Sequence, residues 1–532
     1  MLHFPTYLTI IGYAIFWIEL YFFRNSSGQT SWSAPALAAA LFIYIGYRTW
    51  PTWKDAWQKY REEFLLWPRT TAAVFIFISV LSAPIIFVSF YASLLPPHLL
   101  PEFDALNYHY TLPRQHLILH SFTHIPWSTA DLFPFSIQSA LAPYWFCTAL
   151  PNKIPQLIFT LALWGLAFQI TYRLAPQTRA FRAALLAIFA VIASHGFAIQ
   201  YGTAMLDLVF CYFALAALDS AMTGRWALAG LEMSLWVGAK IPPLYMAVLC
   251  VTVIPALLWK WKIGTIGWSW SPCQMPGLQV LKRASVCFLI VAAVMSGPFM
   301  LKSMRYAGTP FFPLWTGAFH TVSPDAQSRL PLVQKAAADL WVVAHGGADD
   351  RSWKGVLTHP FLLAVPTKGV NNDFDYPLGL PYLIFVAPFA VFLLLAWRRR
   401  HLAVLPWLAC VLWASWWRSS HQARFLYFPV LLIIVTVTAE ECVTRAWAPR
   451  VALALSALLT SLSMVRGHRA DFGKSRWEVL RAEDQALVRQ GESFPSTPTT
   501  PVSVKDKEAA FATFPIHVAT GDVFVLPETP AR

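Results

Sequence analysis

The residues best suited to chemistry lie in one short stretch, PEFDALNYHYTLPRQHLILHSFTHIPWSTADLFPFSIQSAL, which directly follows an apolar segment. Asp104 stands near its start, at a predicted membrane boundary. A carboxylate in a partly desolvated cleft can have its pKa raised towards neutrality and can accept a proton from an incoming hydroxyl group. Asp104 could also cap the helix that follows it, because Asp is a favoured N-cap residue. The two roles are compatible, and the residues alone leave Asp104 a candidate for both.

Histidines are the second feature of the same stretch. His109 comes first, and His116, His120 and His124 then follow at intervals of four residues. On a helix these last three would share one face, as metal-binding side chains do. Pro113 and Pro126 limit the length of such a helix. No cofactor is certain from the sequence, and a divalent metal held by these histidines stays an open alternative.

A second carboxylate lies further along, in QYGTAMLDLVF. Asp207 falls at the start of a predicted span, and an ionisable group inside a span indicates function by default. An acidic residue in the first turn of a helix is also favoured by the helix dipole. We favour the functional interpretation and predict Asp207 as a second catalytic residue.

Cationic side chains on the same side of the membrane are candidates for holding a phosphate group. Arg305 and Arg424 each flank an aromatic-rich helix end, and arginine binds phosphate through two parallel donors. Arg424 is the stronger candidate because it lies in a short loop between two spans, close to Gln422. Lys240 sits where the positive-inside rule disfavours lysine, although snorkelling would also explain it. Lys302 is a weaker candidate.

The elements that must position these residues are membrane helices. Of the 532 residues, 57% are hydrophobic and 13% are charged, with a mean hydropathy of +0.50. Such a chain has too little charge to cover the surface of a soluble enzyme, and it is not a disordered chain. The net charge of +13 contains no dense basic block, so we predict no nucleic-acid partner. The basic surplus instead fits the positive-inside rule.

The hydropathy pattern predicts an all-α polytopic membrane protein with about 13 transmembrane helices. The candidate spans are roughly 5–23, 33–49, 70–94, 154–173, 180–198, 204–222, 226–241, 243–259, 283–300, 378–397, 401–417, 424–440 and 449–466. Short basic clusters then fall on one side, which places the N-terminus in the cytoplasm and the C-terminus outside.

This topology divides the chain at residue 466. Residues 1–466 form the predicted transmembrane domain, with two long outer loops at 95–153 and 301–377. Residues 467–532 form an outer tail whose Pro/Thr-rich part is too polar to fold alone, so it is predicted to be partly disordered.

Four segments resemble the GT-C superfamily of membrane glycosyltransferases, and most closely the bacterial relatives of the protein mannosyltransferase and aminoarabinose transferase group (family 39-like). The first is the outer loop that contains Asp104, Tyr108–His109, Pro113–Arg114, Phe133–Pro134 and Gln138. The others are GAKIPPLY, GPFMLKSMRYAGTPFFPLW and SSHQARFLYFPVLLI. The chain departs from the family pattern in three places. Ser303 and Thr309 stand where the family carries Asn, and Phe425 follows Arg424 where the family carries Tyr.

The resemblance implies an inverting glycosyltransferase in the bacterial inner membrane, with its site facing the periplasm. The implied donor is a polyprenyl-phosphate sugar, and the acceptor is a cell-envelope glycan, lipid or protein. Asp104 would be the base, Lys240, Arg305, Arg424 and Gln422 would contact the donor phosphate, and Tyr108, His109 and Arg114 would shape the acceptor side. Two alternatives stay open at this point, a transporter or flippase of lipid-linked sugars and a non-catalytic subunit that keeps the scaffold.

Overall fold

The computed structural model describes residues 2–23, 29–95, 108–125, 129–133, 136–147, 152–239, 278–319, 378–385, 404–419, 422–440 and 446–474, with isolated positions between 327 and 364 and at 478. Within these ranges the protein is mostly helical and contains no strand. The helices are α1 Phe4–Phe22, α2 Ser33–Leu65, α3 Arg69–Leu94, α4 Thr111–Leu119, α5 Ser136–Trp145, α6 Ile154–Leu174, α7 Ala180–Ile192, α8 His195–Ala198, α9 Asp207–Met222, α10 Trp226–Val237, α11 Leu278–Met295, α12 Gly297–Ala307, α13 Val404–Ser419, α14 Tyr427–Thr438 and α15 Trp447–His468.

Three of the described helices are long and apolar enough to cross a membrane, namely α3, α6 and α15. The pair Lys282–Met295 and Gly297–Ala307, bent by 55°, could supply a fourth crossing. Proline in the first turn starts α1, α6 and α12, where a missing backbone N–H costs no hydrogen bond. These helices are consistent with a membrane protein.

Helix α1 gives the bundle two recognisable ends. It is 19 residues long, or about 28 Å, close to the thickness of a bilayer core. His3, which precedes the helix, contacts side chains near the end of α9 and in α10. At the opposite end, the carbonyl of Leu20 lies 3.4 Å from His120 Nδ1, just after α4. We call these the His3 end and the Lys302 end of the bundle.

Other helices can be oriented by their contacts. The carbonyl of Ser93, at the end of α3, accepts a hydrogen bond from the backbone N–H of Lys153, just before α6. Gly202, which precedes α9, packs on the same turn of α3, where an added Cβ would lie 2.1 Å from the Ser89 carbonyl oxygen. α3 therefore ends beside the starts of α6 and α9, so these two helices run antiparallel to it.

Two regions differ from the expectation drawn from the sequence. Helix α2 continues through Pro51 to Leu65, well past the predicted span 33–49, so Lys54, Lys59 and Arg61 lie on the same helix. Helix α5, in the first predicted outer loop, is buried along its whole length against α1. An added Cβ at Gly12 would lie 2.0 Å from the carbonyl oxygen of Ala140, so the close approach of the two helices requires glycine. Hydropathy missed α5 because it is too short to resemble a span.

Candidate functional site: a buried charge cluster at the Lys302 end

A compact set of charged side chains joins three separate elements. The Lys302 cluster consists of His116 on α4, His124, Asp131 on the 3-10 helix Thr129–Leu132, and Lys302 on α12. Lys302 Nζ donates to Asp131 Oδ1 at 2.7 Å and lies 3.2 Å from His116 Nε2. His124 Nδ1 lies 3.2 Å from Asp131 Oδ2.

The cluster is almost completely withdrawn from solvent. The side chains of His116 and Lys302 are each 3% exposed, and that of Asp131 is 2% exposed. Lys302 Nζ lies 4.2 Å from the centre of the Phe122 ring, a distance typical of a cation–π contact. Its ammonium group is therefore already paired, and in this arrangement Lys302 does not serve as a phosphate contact.

The charges of the cluster control the protonation of Asp131. Burial alone would raise the pKa of this carboxyl group. The ammonium of Lys302 and the two histidines outweigh burial and hold the pKa of Asp131 well below its ordinary value. The Ile125 backbone N–H also donates to Asp131 Oδ2 at 2.8 Å. The lowered pKa favours the anionic form of Asp131, which suits an anchor and not a general base.

The same surroundings favour the neutral form of the His116 ring. Burial, followed by the charge of Lys302, lowers the pKa of His116, although Asp131 opposes both effects. His116 Nδ1 donates to the Ser121 carbonyl oxygen at 2.8 Å, while Nε2 faces both Asp131 and Lys302. Nε2 thus lies within hydrogen-bond distance of one donor and one acceptor, while Nδ1 holds the loop after α4.

The histidines do not share one helix face as their spacing predicts. Helix α4 ends at Leu119, and His120 takes the left-handed conformation with φ 47°. His124 consequently reaches Asp131 from a separate segment. Among the residues described by the structure, no group of three or more His, Cys, Asp or Glu side chains is arranged to hold a metal ion. The ammonium of Lys302 lies next to both His116 and Asp131, on the side where they face each other.

Asp207 is the first residue of α9, as its position in the sequence predicts. It is fully buried, and Gln200 Nε2 donates to its Oδ2 at 3.2 Å. Gly202, between these two residues, has φ 71° and turns the chain back towards α3. The last turn of α3, which ends ten positions before Asp104 in the sequence, is therefore close to the segment that carries Asp207.

The two predicted phosphate-binding arginines differ in their surroundings. Arg424, on the 3-10 helix Ala423–Leu426, is half-buried, and its Nη2 donates to Gln422 Oε1 at 3.1 Å. Arg305 is exposed one turn after Lys302, with its guanidinium 5.4 Å from the centre of the Tyr306 ring. Arg305 is therefore more accessible, whereas Arg424 and Gln422 form a preorganised pair.

The residues predicted to shape the acceptor side lie within the first predicted outer loop and pack against aromatic rings. The rings of Tyr108 and His109 meet edge to face at 4.3 Å, and His109 is fully buried. Arg114 is 3% exposed, and its guanidinium lies 5.0 Å from the centre of the Phe146 ring. The burial of His109 and Arg114 suits residues that shape the surroundings of a site more than residues that touch a solvated ligand.

Asp104 and Lys240 lie outside the residues that the structure describes. Their described neighbours nevertheless bear on the arrangement. Gly238, two residues before Lys240, accepts a hydrogen bond at its carbonyl from the backbone N–H of Ser136, at the start of α5. An added Cβ at Gly238 would also lie 2.7 Å from Ser296 Oγ, at the bend before α12. The end of α10 is thus packed between the first predicted outer loop and the segment that carries Lys302 and Arg305.

A second buried charge cluster occupies the His3 end, and the sequence analysis missed it. His3 Nδ1 lies 2.6 Å from Glu232 Oε1, and His3 Nε2 lies 3.2 Å from Asp219 Oδ2. Arg173 and Arg225 both pair with Asp219. We call these five residues the His3 cluster.

Acidic residues are scarce in this part of the sequence, and this scarcity could have pointed to both clusters. Asp131 is the only carboxylate residue between Asp104 and Asp207 in the sequence. Asp219 and Glu232 are the only ones between Asp207 and Asp325. Isolated acids in such apolar surroundings require partners, because an unpaired buried charge is very costly.

No family model, curated protein or solved structure matches this chain in sequence or fold comparisons.

Proposed function

We propose that this protein is an inverting glycosyltransferase of the membrane, which transfers a sugar from a polyprenyl-phosphate donor to a cell-envelope acceptor. The proposal is supported most strongly by the contacts that bring together segments carrying or flanking the predicted site residues. α3 ends beside the segment that carries Asp207, and α10 ends beside the first outer loop and the bend before α12. Residues far apart in sequence can therefore contribute to one reaction site.

In this proposal Asp104 removes the proton from the acceptor hydroxyl as its oxygen attacks C1 of the sugar. The bond from C1 to the phosphate oxygen breaks, and the lipid phosphate leaves as an anion. A leaving phosphate needs cations and not an acid, and Arg424, Arg305 and Lys240 would supply them. Asp207 would orient the acceptor from the start of α9. The site would act without contribution from the paired Lys302.

The proposal includes the full membrane topology. About 13 spans would place the N-terminus in the cytoplasm and the Lys302 end at the periplasmic face of the inner membrane. The basic side chains Arg173 and Arg225, at the His3 end, agree with a cytoplasmic position for that end. The second outer loop and the tail from residue 467 would lie on the same side as Asp104.

The test compares two neighbouring carboxylates in the full chain, reconstituted in liposomes with a polyprenyl-phosphate sugar donor and envelope extract as acceptor. Removing a general base costs about 10²- to 10⁴-fold in rate, so Asp104→Asn should lose transfer while Glu102→Gln should retain it. Thermal unfolding and membrane insertion serve as the folding control. Full transfer by Asp104→Asn, or equal loss in both variants, would contradict the role of Asp104.

A transporter of lipid-linked sugars is the second candidate, and the His3 cluster is the observation that favours it. Buried acids at both ends of a bundle are what a polar path through a membrane would need. In the His3 cluster, however, Asp219 is paired with two arginines and Glu232 with His3, so both anions are already engaged. Flux of labelled lipid-linked sugar across sealed vesicles, without any new glycosidic product, would favour transport over transfer.

A further inference from the structure

Helix α2 buries little of its own surface against the rest of the bundle. Of its 33 residues, only Ala34 and Ala38 are buried. Trp50 and Trp57 are 68% and 71% exposed, respectively. Between α2 and the bundle lies a cavity of about 1310 Å³. Ring contacts such as Phe42 on Phe4 and Tyr60 on Phe181 join α2 to the bundle, and the cavity borders much of the remaining inner face.

The cavity is an elongated groove that follows one face of α2. The lining residues of α2 are Pro35, Ala38, Ala39, Phe42, Gly46, Trp50, Trp53, Lys54 and Trp57. Their spacing of three to four residues is that of a single helix face. The opposite wall comes from α1, α5 and α6, through residues such as Leu8, Tyr144 and Ile158.

The groove extends between the two ends of the bundle. Trp32 and Leu94 line it towards the Lys302 end, and Leu2 and Trp57 line it towards the His3 end. Trp32 and Trp57 are 25 positions apart, which corresponds to about 37 Å along a helix. Its walls are almost entirely hydrocarbon and aromatic, so water would fill it poorly. A long apolar chain fits this shape.

The charge on the groove is at one end. Lys54 is exposed at the rim near the His3 end, between Trp53 and Trp57. Tryptophan with a nearby lysine is typical of the level of lipid headgroups. A phosphate at Lys54 would place an attached acyl chain in the groove. This end lies away from Asp207 and Arg305, so the occupant differs from a donor lipid whose phosphate must reach that site.

We propose that this groove binds an anionic phospholipid, with its phosphate on Lys54 and one acyl chain between α2 and the bundle. The lipid would hold α2 against α1 and α6 where direct side-chain contact is sparse. The proposal does not depend on the proposed glycosyl transfer. It requires both the open groove and the positive charge at its rim.

Two adjacent alanines on α2 offer a matched pair for the test. Both alanines are exposed, but Ala39 lines the groove and Ala40 does not. Ala39→Trp should fill the groove, and Ala40→Trp should leave it open. Lys54→Gln removes the charge at the rim, and Arg61→Gln removes an exposed charge from the same helix outside the lining.

The full chain would be purified in mild detergent, and thermal unfolding would be followed while phosphatidylglycerol, phosphatidylcholine or polyprenyl phosphate is added. Native mass spectrometry would count bound lipids. For the parent chain, Ala40→Trp and Arg61→Gln, phosphatidylglycerol should raise the unfolding temperature by several degrees and add one bound lipid. Ala39→Trp should lose both effects, and Lys54→Gln should lose the preference for phosphatidylglycerol over phosphatidylcholine. Equal responses of Ala39→Trp and Ala40→Trp, or stronger binding of polyprenyl phosphate to the groove, would overturn the proposal.

Discussion

The Lys302 cluster and the His3 cluster lie at opposite ends of α1 and differ in the exposure of their cations. The Lys302 side chain is 3% exposed, whereas those of Arg173 and Arg225 are 30% and 42% exposed. Water can therefore relieve part of the charge at the His3 end but almost none at the Lys302 end. Two clusters of similar composition should respond differently to the loss of a carboxylate.

They also join different kinds of element. The His3 cluster connects the start of α1 to the helices α6, α9 and α10. The Lys302 cluster connects α12 to α4 and to the 3-10 helix Thr129–Leu132 in the first predicted outer loop. Damage at the His3 end should loosen helix packing, whereas damage at the Lys302 end should displace the loop that follows the predicted base.

The largest effect is expected from Asp131→Asn. The substitution leaves the ammonium of Lys302 buried without its anion, and breaking such a pair costs about 3–5 kcal/mol. Thermal unfolding in detergent should show a large drop in stability compared with Glu102→Gln as control. A change no greater than that of the control would mean that the cluster is open to water.

The second variant tests whether the loss comes from the unpaired charge. In Asp131→Asn/Lys302→Met, no buried cation is left alone, so most of the stability lost in Asp131→Asn should return. The coupling between the two positions should amount to about 2–3 kcal/mol in a double-mutant cycle. Additive losses would show that shape, and not charge, holds the loop.

A smaller effect is expected from Asp219→Asn at the His3 end. Its partners Arg173 and Arg225 remain partly hydrated when the anion is removed, so we expect a loss of about 1–3 kcal/mol. The same unfolding measurement gives the comparison with Asp131→Asn. A larger loss for Asp219→Asn would reverse the order of the two clusters.

The smallest effects are those of pH, and they should have opposite signs at the two ends. Burial alone would lower the pKa of His3, but hydrogen bonds to Asp219 and Glu232 and the charge of Glu232 raise it above its ordinary value of 6.5. The stability from His3 is therefore present below pH 6.5 and is lost as the pH rises through the raised pKa. The lowered pKa of His116 has the reverse effect, with stability lost as the pH falls below 6.5.

Thermal unfolding measured from below to above pH 6.5 can distinguish the contributions of His3 and His116 to stability. His3→Gln should flatten the loss on the alkaline side, and His116→Gln should flatten the loss on the acidic side. His120→Gln, outside both clusters, is the control. If both variants changed the same side of the profile, the opposite protonation preferences would be refuted.

Several elements followed directly from the sequence. The apolar runs at 70–94, 154–173 and 449–466 predicted three of the described helices to within a few residues, because an uninterrupted apolar stretch has few alternatives to a helix in lipid. Asp207 was correctly placed at a helix start. The number of spans, the orientation and the roles of Asp104, Lys240 and Arg424 stay predictions.

Other features could not be read from local pattern. Hydropathy stopped α2 at its first basic residues, yet the helix continues because Lys, Glu and Gln are strong helix formers. The equal spacing of His116, His120 and His124 suggested one face, but the chain turns at His120. Periodicity cannot report a change of backbone conformation at a single residue.

The sequence by itself determined that this protein is helical and rich in apolar segments, because low charge and high hydropathy act through composition alone. It also determined which acids are rare enough to require partners. Only the tertiary structure decided which residues those partners are. Asp131 meets Lys302 across 171 positions and His3 meets Glu232 across 229 positions, and such pairs depend on helix packing and not on sequence distance.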